Sequence, residues 1–374
     1  MTDLSPTSFV ASGFEPVADA FLQNFADGQE LGAGFAAFKD GACIIDIQAG
    51  FTDRKSTQIW TDKTLVPVYS VSKGISALII AMLVDRGLID YDAPLSNYWP
   101  EFAAYGKEAV TVAEALSHQA GVPGFADPID PDLWLDPPAL SARLAQEPPQ
   151  WTPGTGSGYH PLSWGYIAGE LAARVSGKSL GTLLREEVCT PLGIDFHIGL
   201  SATEHDRCAD LKRPTAYPDL GEITPVRRTA FLTKWASPNR GGAAWREIEI
   251  PSANGHGTAR SVAQLYGAYA NAGQIDGKPL FNTETYAALT RPRAAGPDRV
   301  LPFDITFCAG IMRNTNRVFG PDETALGHSG WGGSAAFGDA SRNLSAAYVM
   351  NRQSNILLGD PRPTRLFSSL YGCL

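Results

Sequence analysis

Residues 70–87 read Ser-Val-Ser-Lys-Gly-Ile-Ser-Ala-Leu-Ile-Ile-Ala-Met-Leu-Val-Asp-Arg-Gly, and between Ile75 and Val84 only Ser76 interrupts an apolar run. The run falls far short of the roughly 20 residues that a membrane span needs. A helix apolar on nearly every side belongs at the centre of a fold, so Ser70–Arg86 is expected to be a buried helix stopped by Gly87. Its first turn then carries Ser70 and Lys73, which a spacing of three places on one face. Ser72 points elsewhere and reads as structural.

On the N-terminal side, Gly34–Phe38 and Ala42–Ile47 flank Lys39-Asp40-Gly41, an Asp-Gly turn between two strands of a hairpin. On the other side, Thr111-Val112-Ala113-Glu114 is a capping box opening a short helix. Residues 123–153 hold eight prolines with Trp134 and Trp151. They are expected to form a long irregular loop walling a site, because proline supplies no N–H. Helices are expected from Trp164 to Val175, over Leu180–Val188 and over Val262–Ala272, the last capped by Ser261 with Gln264, and residues 210–255 are expected to be irregular. Ile305–Met312, Gly333–Phe337 and Ser345–Met350 read as strands, and Pro363–Leu370 as a closing helix. Strands at both ends and helices between them imply an α+β fold. One catalytic domain (1–374) would comprise an α/β lobe from about 1–69 and 256–374, with a mainly helical lobe of about 70–255 inserted.

The chain has 374 residues, 44% of them hydrophobic and 18% charged, with 30 Lys+Arg against 39 Asp+Glu. That is the composition of a globular protein, and the net charge of −9 disfavours a nucleic-acid partner. No export signal or membrane segment is read, and five scattered cysteines without C-x-x-C fit a reducing cytoplasm better than a disulfide or zinc framework. The chain lacks G-x-S-x-G, H-E-x-x-H, G-x-x-x-x-G-K-[ST] and G-x-G-x-x-G, so α/β-hydrolase, metal and nucleotide chemistry lose ground. No metal or other cofactor is expected, and the oligomeric state is left open.

With 25 serines and 9 lysines, chance alone gives about 0.6 Ser-x-x-Lys matches, so the tetrapeptide gains weight only from its position at the tip of the buried helix. There the helix dipole disfavours an ammonium, and desolvation lowers a lysine pKa. Lys73 could then take the Ser70 proton as a neutral amine. Two further segments stand out: Trp151-Thr152-Pro153-Gly154-Thr155-Gly156-Ser157-Gly158-Tyr159-His160-Pro161, and His328-Ser329-Gly330-Trp331-Gly332-Gly333, whose small residues let backbone N–H groups approach a substrate.

In this order the three segments resemble the serine β-lactamase and penicillin-binding-protein superfamily, and within it the class C-like esterases called family VIII carboxylesterases. Thr111–Pro123, Pro191-Leu192-Gly193-Ile194 and Gly255-His256-Gly257-Thr258-Ala259 extend the likeness from near Gly34 to Asn351. The resemblance implies a β-lactamase/DD-peptidase-like fold, an antiparallel sheet flanked by helices. It implies Ser70 as acyl-forming nucleophile, Lys73 as its proton partner, and Tyr159 as the second member of the base pair. It implies an oxyanion hole from the N–H groups of Ser70 and Trp331, or of Ser334 in the alternative register, and substrate contacts at His328, Ser329, Gly330 and Trp331.

Two departures bear on substrate. Pro161 stands where the tyrosine motif usually ends in Asn, and His328 stands in place of the strand lysine. Both point to neutral carboxylic esters as small-molecule substrates. A β-lactamase or D-Ala-D-Ala peptidase, an acyltransferase on the same acyl-enzyme, and a non-catalytic relict are the rivals. An α/β-hydrolase using His256 or His328 as base comes last, and His118, His197 and His205 read as structural or exposed.

Overall fold

The computed structural model describes residues 2–237 and 240–374. Nine strands form one antiparallel sheet: β1 (Phe9–Val10), β2 (Gly32–Lys39), β3 (Ala42–Gly50), β4 (Ala294–Pro297), β5 (Asp304–Phe307), β6 (Met312–Arg313), β7 (Leu326–Ser329), β8 (Ala335–Asp339) and β9 (Leu344–Met350). Their spatial order is β1-β3-β2-β9-β8-β7-β6-β5-β4. Asp40 and Gly41 both take positive φ, 51° and 79°, giving the tight turn that suits the twist of β2 and β3. The two ends of the chain meet at β2 and β9, where Lys39 faces Leu344 and Ala33 faces Met350.

Alternation along β2 divides the core. Phe35 and Ala37 face a layer built with Val17 and Phe21 of α1 (Glu15–Ala26). Alternate residues Ala36 and Phe38 join the larger core, which contains α2 (Val71–Asp85). That helix runs where the apolar stretch placed it, buried from Val71 to Leu83. Ser76, its polar exception, donates to the Pro251 carbonyl at 2.8 Å, so burial leaves no hydroxyl unserved.

α3 (Val112–Leu116) begins with the expected capping box, Thr111 Oγ1 accepting from the Glu114 N–H and Glu114 from the Thr111 N–H. The 123–153 stretch departs from expectation. It contains α4 (Pro137–Ala145), because Pro137 and Pro138 occupy the first turn, where a missing N–H costs nothing, and Asp136 caps it. α5 (Ser163–Ser176) ends at Gly177 as read. The helix expected over Leu180–Val188 is instead a short α-turn, Leu180–Leu183, followed by a wider π-turn, Leu184–Cys189. Residues 210–255 likewise hold two short helices, Pro225–Phe231 and Ala243–Glu247.

α6 (Ala259–Ala270) starts earlier than expected, since Thr258, not Ser261, is its cap and Ser261 reciprocates from the third helical position. It lies on the sheet against β2, β8 and β9. Its Tyr266 and Tyr269 hydroxyls donate to the Val71 and Gly74 carbonyls of α2, at 2.8 and 2.6 Å. A Cβ at Gly74 would sit 2.3 Å from the Tyr266 hydroxyl, so this lock requires glycine. The strand expected over Ile305–Met312 divides into β5 and β6 around a turn in which the Gly310 N–H bonds back to Cys308. α7 (Pro361–Gly372) closes the chain against α1. Among the described residues no helix is long and apolar enough to cross a membrane.

Candidate active site

The chain enters α2 through Val66–Pro67, a short strand, and then reverses sharply at Tyr69, whose φ is +50°. A non-glycine residue in that region is strained, and such strain is found where a fold must aim a neighbour. The neighbour is Ser70, the N-cap residue of α2. Its side chain makes no capping bond, so the hydroxyl is left for other partners. Ser72 is structural as read, its Oγ accepting from the Gly255 N–H at 3.0 Å.

Lys73 is fully buried. Its Nζ lies 2.8 Å from the Pro161 carbonyl, 3.1 Å from the Ser252 carbonyl and 3.2 Å from Ser70 Oγ. Carbonyls can only accept, so two amine hydrogens are committed to them. The remaining direction of the nitrogen faces the serine oxygen. No carboxylate pairs with it among the described residues, and desolvation pushes its pKa well below the ordinary lysine value. In the neutral amine the position facing Ser70 is a lone pair.

Tyr159 reaches the same oxygen from the other side, donating its hydroxyl to Ser70 Oγ at 2.6 Å. Its ring lies 4.7 Å from Lys73 Nζ, and burial raises its own pKa. Asp298, unforeseen from the sequence, fixes the backbone around it. Its Oδ1 accepts from the N–H groups of Tyr159 (2.9 Å), Val300 (2.9 Å) and Leu301 (2.8 Å), while Oδ2 accepts from Ser157 Oγ (2.8 Å).

Three histidines surround this centre, and all are held neutral. His160 donates Nδ1–H to the Gly158 carbonyl and accepts the Val122 N–H on Nε2. His118, buried rather than exposed, accepts the His160 N–H on Nδ1 and packs its ring 4.8 Å from Tyr159. His328 donates Nδ1–H to the Ser329 carbonyl at 2.8 Å. Burial lowers His118 well below its usual range and takes His160 and His328 down to about 3. His328 Nε2 is buried without a partner among the described residues, leaving an acceptor lone pair at the cleft wall.

His328 and Ser329 end β7, and Gly330 to Gly333 form a tight turn in which the Gly333 N–H bonds to the Gly330 carbonyl at 3.1 Å. A Cβ on Gly330 would meet the Val68 carbonyl at 2.3 Å, so only glycine lets this turn approach Ser70. Trp331 lines the cleft together with Ser70, Tyr159, His328 and Ser329. Ser334 lies beneath, its Oγ donating to the Val68 carbonyl at 2.8 Å. The other walls are largely apolar, with Phe231, Leu301, Phe303, Ile305 and Met312 among them. Trp151 and the 123–153 loop are absent from this lining; Trp151 instead packs over Gly158, where a Cβ would touch its ring at 2.5 Å. Among the described residues no cluster of His, Cys, Asp and Glu could hold a metal ion.

Besides Asp298, the sequence reading missed Ser252, whose carbonyl serves Lys73, and Arg240, which lines the cleft beside Tyr69. A backbone acceptor carries no sequence signal, and the arginine sits in the irregular 210–255 stretch.

Known proteins share this fold. A "novel penicillin-binding protein (PBP) homolog" from Caulobacter crescentus superimposes with a TM-score of 0.97 at 50% identity over the full length of both chains. A structure described as a family VIII carboxylesterase gives 0.92 at 39% identity, again over both full lengths. A curated relative from Mycobacterium tuberculosis, "Esterase/beta-lactamase LipL", is 35% identical over 91% of this chain and 81% of its own. The Beta-lactamase family model matches residues 17–370. By sequence and by fold, this chain belongs to the Beta-lactamase family of serine hydrolases.

Proposed function

We propose that the protein is a carboxylesterase that cleaves small to medium carboxylic esters through an acyl-enzyme on Ser70. One observation carries the reading: Lys73 Nζ and Tyr159 Oη converge on Ser70 Oγ at 3.2 and 2.6 Å, while the lysine's other partners are carbonyls. As Ser70 Oγ bonds to the ester carbon, its proton passes to the neutral Lys73 amine and the carbonyl electron pair moves onto oxygen. The N–H groups of Ser70 and Trp331 donate to that oxyanion, a contribution worth roughly 10²–10³ per donor. Ser334 is the weaker candidate, since it lies under the cleft wall.

Collapse of the adduct expels the alkoxide, which takes the Tyr159 proton; Tyr159 recovers one from the Lys73 ammonium. Water then attacks the acyl carbon, gives its proton to the same pair, and Ser70 Oγ leaves with it. Asp298 acts as a positioning residue by fixing the Tyr159 backbone. The mostly apolar walls suit the hydrocarbon of an ester, and the carboxylesterase neighbour supports that choice. β-Lactam turnover on the same acyl-enzyme is a second reading, favoured by the relative named for both activities.

A fluorophosphonate probe should label Ser70 stoichiometrically, and Ser70→Ala should lose both labelling and ester turnover. Short and medium p-nitrophenyl esters should be turned over with higher kcat/KM than nitrocefin. Labelling at another serine, or nitrocefin as the better substrate, would overturn the assignment.

A further inference from the structure

The replacement of the strand lysine by His328 removes one cation from the cleft, but the fold brings another from a different segment. Arg240 lines the same cleft as Ser70 and Trp331. Its guanidinium carbon lies 5.0 Å from the centre of the Trp331 ring and 5.9 Å from that of Tyr69, the residue preceding Ser70. The cation therefore sits against the Tyr69 and Trp331 rings, in the cleft that Ser70 also lines.

Among the described residues no Asp or Glu makes an ion pair with Arg240, and the ionisable groups around it are Tyr69, Tyr217 and a second cation, Arg213. Among the described residues one of its five N–H donors is used, Nη2 to the Ala236 carbonyl at 3.1 Å. Two aromatic faces offset part of the cost of removing the charge from water. They supply no hydrogen-bond acceptors, so the planar donor fork remains open to a ligand of matching shape.

We propose that Arg240 forms an anion subsite, so that the preferred ester carries a carboxylate on the arm that reaches the Trp331 side of the cleft. The inference rests on the ester reading and corrects its substrate class: the sequence pointed to neutral esters through Pro161 and the loss of the strand lysine, and Arg240 supplies a cation from the 210–255 segment in that lysine's stead. The site holds one charged terminus against Arg240 and leaves the uncharged remainder of the molecule to the apolar walls.

Matched ester pairs test it: monoethyl adipate against ethyl hexanoate places the charge on the acyl arm, and 4-acetoxybenzoate against p-tolyl acetate places it on the alcohol arm. The readout is the ratio of kcat/KM for the charged ester to that for the neutral one, which cancels any general effect of a variant on the cleft. In at least one pair, Arg240→Gln should lower the ratio by roughly 10–100-fold, the worth of a hydrogen bond to a charged group. Arg240→Glu should lower it further, and Arg240→Lys, which keeps the charge but not the planar fork, should retain only part of it. A fall smaller than about threefold in both pairs for Gln and Glu would mean that Arg240 only braces Trp331, and the proposal would be wrong. Failure of the ester reading itself looks different: no ester is cleaved and Ser70 stays unlabelled.

Discussion

Two lysines of this protein are fully buried, and each donates to two backbone carbonyls: Lys73 to Pro161 and Ser252, Lys107 to Ala104 and Glu147. They differ in what occupies the third direction. Lys107 faces the rings of Phe102 and Tyr105, 5.2 and 5.7 Å away, and feels the Glu147 carboxylate. Both features favour a positive charge, and its pKa falls only to about 8. Lys73 has no carboxylate partner among the described residues and faces the Ser70 hydroxyl, and burial pushes its pKa well below the ordinary lysine value. Burial beside aromatic faces and a counter-charge thus makes a strut. Burial without a counter-charge, beside a hydroxyl, makes a base.

The largest test of that contrast replaces each lysine by a residue of similar length. Lys73→Met should lower kcat by roughly 10³-fold or more, because it removes general-base help typically worth 10²–10⁴. Lys107→Met, measured on folded protein, should change kcat by less than about threefold. Equal losses would erase the distinction. Tyr159→Phe should fall between them, at roughly 10²-fold, since Lys73 still accepts the serine proton but the leaving alkoxide loses its donor.

A pH profile sharpens the same contrast. Only the neutral amine can take a proton, so kcat/KM should rise with pH as Lys73 deprotonates, along a limb well below the usual lysine range. Lys107→Met should leave that limb in place. His160 and His328, held down to about 3, are already neutral across it. A limb that shifts when His328 becomes Asn, with Lys73 intact, would assign the titration to the wrong group.

What could be read in advance followed from local chemistry. The hairpin at Asp40-Gly41, the buried helix behind Ser70 and the Thr111–Glu114 box each depend on residues within a few positions of one another. α1 went unforeseen, although Pro16 in its first turn and the Val17–Phe21 spacing are ordinary helix signals. α6 was entered three residues late because its reciprocal cap uses Ser261 where the familiar pattern has Glu or Gln. The order of Ser70, Lys73, Tyr159 and the His328–Gly333 turn was legible because each lies in a compact motif. Asp298, Ser252 and Arg240 were not: they come within reach of those motifs only through tertiary packing of irregular chain, and no periodicity marks them.

The smallest effect belongs to the strut and is read in stability. Lys107 titrates at about 8 when folded against roughly 10.4 when unfolded. Between those values the unfolded chain holds the proton and the folded one has released it, so unfolding binds a proton and stability rises with pH across the window. Below about 8 both states are protonated and that increment is absent. Lys107→Met should lower Tm at every pH, because it leaves the Ala104 and Glu147 carbonyls without a donor, at a cost of about 1–3 kcal/mol per buried group. The gap between wild type and variant should then widen from about pH 8 to about pH 10 as the wild type gains its increment. Denaturant unfolding of both proteins at several pH values measures that gap directly. A gap that narrows would mean that the folded state binds the Lys107 proton more tightly than the unfolded chain, as an ion-paired lysine does, and the aromatic faces and Glu147 would then outweigh its burial.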